Sequence, residues 1–103
     1  MRIDVIGGNT ISPQARTYAE YRVFAALAQF SDAESVRRVR VVLRPVNLGS
    51  GCEGVACIVT VTLDGSDSFR IRTTGPHAYA AINRGVERIR ATASTGMVNR
   101  VSL

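Results

Sequence analysis

The stretch VRRVRVVLR, residues 36–44, decides the fold. Val39, Val41 and Leu43 share one parity, and Arg38, Arg40 and Arg44 share the other. Successive side chains of a strand point to opposite faces, so the segment reads as a strand with one apolar and one arginine-bearing face. The apolar face has to be covered by other elements. The arginine face is either solubilising surface or faces something negative, and the flanking sequence bears on both.

Upstream, RIDVI (2–6) alternates and predicts a short first strand with Ile3 and Val5 inward. GGNTISP breaks it. Ser12 followed by Pro13 is a helix start, with the serine as N-cap and the proline at the first helical position. Ala15, Tyr18, Ala19, Val23, Ala26, Leu27 and Phe30 then recur at helical spacing and form a stripe to be buried. Downstream, PVNLGSGCEG (45–54) reads as a Gly-rich loop. VACIVTVTL (55–63) reads as a third strand, with Val55, Cys57, Val59, Val61 and Leu63 inward and Ala56, Ile58, Thr60 and Thr62 outward. DGSDS has hairpin-turn composition, and FRIRT follows as a fourth strand with Phe69 and Ile71 inward. Pro76 is expected to open a second helix, HAYAAINRGVERIRAT, with Ala78, Ile82, Val86 and Ile89 as its stripe.

The order β-α-β-β-β-α implies an α+β fold: a four-stranded mixed sheet with two helices packed on one face. A right-handed crossover through the first helix sets the second strand parallel to the first, and a meander follows. The other sheet face stays open and carries Arg38, Arg40, Arg44, Arg70 and Arg72. One domain over 1–92 is expected, with 93–103 as a flexible tail.

The chain has 103 residues, a net charge of +5 and no lysine, so all 13 of its basic residues are arginine. A GC-rich genome accounts for the missing lysine. The guanidinium still pairs bidentately with phosphate and stacks on bases, which suits a nucleic-acid partner. No apolar run reaches the roughly 18–20 residues of a membrane span, and MRIDVIGGNTIS lacks the apolar core of a secretory signal. These features predict a cytoplasmic protein with no membrane partner. Cys52 and Cys57 lack the second pair or the histidines of a metal site, and Cys57 falls on an inward position. No metal or cofactor is expected. His77, the single histidine, reads as a surface or capping residue. Tyr79 could stack on a base, but its place in a first helical turn favours packing at the sheet edge. The carboxylates are scattered, so no acid–base pair suggests itself and an enzyme is not expected.

GPHAYAAINRGVERI (75–89) resembles the ribosome hibernation promoting factor and ribosome-associated inhibitor family. VRRVRVVLR followed by CIVTVTL is similar to that family's second and third strands, and ISPQARTYAEYRVFAAL to its first helix. The likeness covers residues 1 to about 92 and fits the short form, without the second domain by which longer relatives pair ribosomes. It implies a domain that occupies the decoding channel of the small ribosomal subunit and blocks translation during stasis or stress, held by basic side chains on ribosomal RNA phosphates. Carried across by position, Arg84, Arg88 and Arg90 on the second helix would be the main RNA contacts, with Arg16 and Arg22 on the first helix. Arg38 and Arg40 on the sheet face are further RNA-binding candidates. The first helix departs from the family, having VFAALAQ where relatives carry lysines. A chain that keeps the fold but not ribosome binding fits as well. The alternative is therefore a non-enzymatic protein–protein module, most simply a weak homodimer through a sheet edge.

Overall fold

The computed structural model describes residues 1–30 and 33–95. The elements run β1 (Arg2–Gly7), α1 (Pro13–Ala28), a 3-10 turn (Ala33–Ser35), β2 (Val36–Gly49), β3 (Cys52–Leu63), a 3-10 turn (Asp64–Ser66), β4 (Ser68–Gly75) and α2 (Ala78–Thr95). The sheet order is β1-β2-β3-β4, with β1 parallel to β2 and the other pairs antiparallel. This is the expected α+β architecture with both helices on one face. Among the described residues no helix is long and apolar enough to cross a membrane.

Alternation places the core. Val39, Val41, Leu43, Cys57, Val59, Val61 and Ile71 are buried on the helix-covered face, together with Ala15, Ala19, Val23 and Leu27 of α1 and Ala81, Ile82, Val86 and Ile89 of α2. The alanines of α1 carry no bulk beyond Cβ, so that helix can lie close to the sheet. Its start is capped as the sequence suggests: the Ala15 N–H donates to Ser12 Oγ at 3.1 Å, and Pro13 occupies the first turn.

Three expectations need correction, and one, the outward placing of Ala56 and Ile58, holds with both side chains buried. Residues 45–54 are not a loop, because β2 continues to Gly49 and β3 starts at Cys52. β1 ends opposite Leu43, so beyond it β2 has a neighbour on one side only, and Pro45 is tolerated without a ladder donor on the open side. The turn itself is Gly49, Ser50 and Gly51, all at positive φ (102°, 51° and 77°). Ala56 and Ile58 sit on a central strand between Val42 and Arg44 on one side and Arg72 and Thr74 on the other, and long flanking stems shade them. Second, α2 begins at Ala78 rather than Pro76: His77 is the cap, its Nδ1 accepting from the Ala80 N–H at 3.2 Å. Third, α2 runs past Thr92 to Thr95, so the expected tail begins inside a helix. The rest of that tail, 96–103, lies outside the described residues.

Candidate nucleic-acid interface

The register of the sheet arranges its open face in rows. One row is Arg2, Arg38, Thr62 and Ser68, and the next is Asp4, Arg40, Thr60 and Arg70. Asp4 Oδ2 lies 3.5 Å from both Arg2 Nε and Arg38 Nη2, so the β1 side of this face is partly neutralised. The bulge at Arg37 turns that residue to Asp64, 3.4 Å away. Arg40, Arg44, Arg70 and Arg72 make no ion pair among the described residues. The arginine face therefore gains unneutralised charge toward β4.

At that edge β4 meets α2 and an open groove forms, lined by Arg72, Thr73, Thr74, Arg84, Glu87 and Arg88, with Ala91 at its end. Two contacts fix its walls. Arg84 Nη1 donates to the Thr74 carbonyl at 2.7 Å, and Thr73 Oγ1 donates to the Ala81 carbonyl at 2.8 Å. Arg84 and Arg88 are one helical turn apart and share a face. Glu87 lines the same groove but stands beyond ion-pair distance of the arginines, which are all exposed. Three guanidiniums line one open groove, and a guanidinium can grip a phosphate bidentately and independently of base sequence.

The other candidates are placed apart from this groove. Arg90 is exposed but lies about 120° round the helix from Arg84 and about 160° from Arg88. Arg16 turns back to the Gly7 carbonyl, 3.4 Å from its Nη1. Arg22 is half-buried, its guanidinium 5.9 Å from the Tyr18 ring centroid and its Nε buried without a hydrogen-bond partner among the described residues. Arg38 is held by Asp4, while Arg40 remains on the open face in the row of Arg70. Arg72 is the residue that the sequence reading of the site missed. Parity assigns it to the open face, but only knowing that β4 is an edge strand beside α2 puts it in the groove as well.

Tyr79 packs on α1. Its ring lies 5.0 Å from that of Tyr18, tilted by 58°. Phe69, inward as expected, stacks at 6.5 Å on Phe30. The two cysteines are free: Cys52 is exposed near the hairpin tip, and burial pushes the Cys57 thiol up from 9.0 to about 11. Among the described residues no three His, Cys, Asp or Glu side chains gather as metal ligands would.

Comparison with solved structures finds a ribosomal subunit interface protein from Coxiella burnetii, with a TM-score of 0.69 over 92% of this chain and 96% of that one. Sequence identity is 15%. The likeness is one of fold. No family model matches the chain, and no curated protein matches it by sequence.

Proposed function

We propose that this protein is a ribosome-associated translation regulator that binds small-subunit ribosomal RNA through the β4–α2 groove. The observation that carries the reading is the convergence of Arg72, Arg84 and Arg88 on one open surface with no ion pair among the described residues. The fold shared with a ribosomal subunit interface protein supports it, as does the sequence resemblance around GPHAYAAINRGVERI. Binding is by occupancy and electrostatics: the groove grips phosphates, and the bound domain blocks the decoding channel during stasis. Arg40 and Arg70 extend the basic surface round the β4 edge onto the open face.

Co-sedimentation with purified small subunits across a salt series tests the proposal. Binding should weaken with salt, and removing one phosphate-contacting arginine should lower the log–log salt slope by about one. The double variant Arg84→Glu/Arg88→Glu should not sediment with the subunit. Undiminished binding by that variant refutes the assignment of the groove.

A second reading has one observation in its favour. Met1, Tyr21 and Phe24 are exposed beside Ile3 of the edge strand β1, which suits pairing of two copies along that edge. A concentration-dependent dimer by size exclusion, with no salt-sensitive affinity for the subunit, would favour it.

A further inference from the structure

All three tyrosines of the chain, Tyr18, Tyr21 and Tyr79, line one cleft, together with Pro13, Gln14 and Thr17. The sequence separates Tyr79 from the other two, and the packing of α2 on α1 brings them together. The Tyr18 hydroxyl donates to Asn83 Oδ1 at 2.6 Å, which fixes that ring as the floor. Tyr79 leans against it at 5.0 Å, and Arg22 lies along it at 5.9 Å. Tyr21 is 70% exposed and Tyr79 39%, large values for residues whose rings are mostly apolar. Both line the cleft, and no described residue fills the space they border.

We propose that this cleft takes an unstacked nucleobase of single-stranded RNA, so that the protein holds RNA by base stacking as well as by phosphate contact. The inference rests on the RNA-binding reading above. Every base offers a π-face to an aromatic ring, and proteins that hold single strands combine such rings with arginines for the backbone. The ring walls supply the stacking surface. Gln14 and Thr17 supply amide and hydroxyl groups that can bond to a base edge. Among the described residues no carboxylate lines the cleft, Arg22 lies over the ring of Tyr18, and the chain is basic, so an anionic strand is favoured over an acidic peptide. The open sheet face offers no aromatic among the rows of its described residues, so base stacking belongs to the helices here.

The chain lacks tryptophan, and its tyrosine emission therefore reports on this cleft alone. The experiment titrates the protein with a short oligouridylate and, separately, with an abasic ribose-phosphate oligomer of the same length, correcting for absorbance by the nucleic acid. The oligouridylate should quench tyrosine emission and bind more tightly than the abasic strand. Tyr21→Ala, a change at an exposed position, should weaken oligouridylate binding about tenfold and leave abasic binding unchanged. Equal affinity for the two oligomers with unchanged emission would overturn the base-stacking proposal and leave the phosphate-binding groove standing. Failure to bind either oligomer at low salt would overturn both.

Discussion

Replacing Gly75 with alanine tests how the groove is built. Gly75 is buried at the end of β4, just before the chain turns into α2. A Cβ there would stand 2.7 Å from the Ala81 nitrogen, 2.9 Å from Ala80 Cβ and 3.0 Å from the Ala80 carbonyl carbon. Two of those three atoms are backbone and cannot rotate away. The strand end and the first turn of α2 must separate by several tenths of an ångström, which strains the Thr73–Ala81 and Arg84–Thr74 hydrogen bonds (2.8 and 2.7 Å). Overpacking costs about 1–3 kcal/mol, and each weakened hydrogen bond adds up to about 1, so a loss of roughly 2–4 kcal/mol is expected. In a domain of this size that lowers Tm by roughly ten degrees or more. Gly85→Ala is the control. Its Cβ would meet Cys57 Sγ at an ordinary 3.5 Å and Thr73 Oγ1 at 3.3 Å, which a shift of that side chain by a few tenths of an ångström relieves without parting the backbones of β4 and α2, while the helix gains about 1 kcal/mol of propensity. Urea unfolding followed by circular dichroism, with m-values compared, measures both. If Gly75→Ala proves as stable as Gly85→Ala, the close approach of β4 to α2 is not what sets the groove.

Cys57 makes stability pH-dependent in alkali. Burial raises its thiol from 9.0 to about 11, so the folded state keeps a proton that the unfolded chain has released. The stabilisation is complete below pH 9 and is lost as pH rises toward 11, by about 2–3 kcal/mol in all. Cys57→Ala should unfold with a flatter alkaline limb, and an unchanged limb would refute the assignment. In the native state iodoacetamide should modify Cys52 quickly and Cys57 only on unfolding, as peptide mapping by mass spectrometry would read. Ser12→Ala should cost about 1 kcal/mol in urea unfolding, because the Ala15 N–H loses its cap. Arg84→Lys keeps the charge but not the planar fork, and should bind small subunits more weakly than the parent at equal salt.

The fold was legible because local rules agree over most of its length. Val39, Val41 and Leu43 against Arg38, Arg40 and Arg44 mark faces without ambiguity, and Ser12–Pro13 marks a helix start. Pro45 and the glycines after it looked like a loop because composition does not reveal which side of β2 lacks a neighbour. The groove was half legible. Arg84 and Arg88 share a face by helical spacing alone, but Arg72 joins them only through the packing of α2 beside the β4 edge. The tyrosine cleft depends wholly on tertiary structure, since helical spacing puts Tyr18 in the buried stripe and says nothing of which helix Tyr79 will meet.

The placement of acid side chains explains why the groove, rather than the whole arginine surface, is the better candidate. Asp4 faces Arg2 and Arg38, and Asp64 faces Arg37, so neutralisation is concentrated on β1 and the start of β2. Among the described residues Arg40, Arg70, Arg72, Arg84 and Arg88 form no ion pair, and they follow the sheet to its β4 edge and over onto α2. Although Glu87 lines the groove, they leave it with three arginines to one carboxylate. The same residues bear on the alternative of edge pairing. Charge and an occupied backbone carbonyl both discourage strand addition, and β4 has Arg70 and Arg72 along it with Arg84 bonded to Thr74. β1 is protected less well, since Asp4 offsets its arginine and apolar side chains of α1 stand beside it. Phosphate binding and self-association would thus use opposite edges of one sheet, with Tyr21 shared between the base cleft and the β1 surface, and charge reversal at Arg84 and Arg88 should abolish phosphate binding while leaving self-association intact.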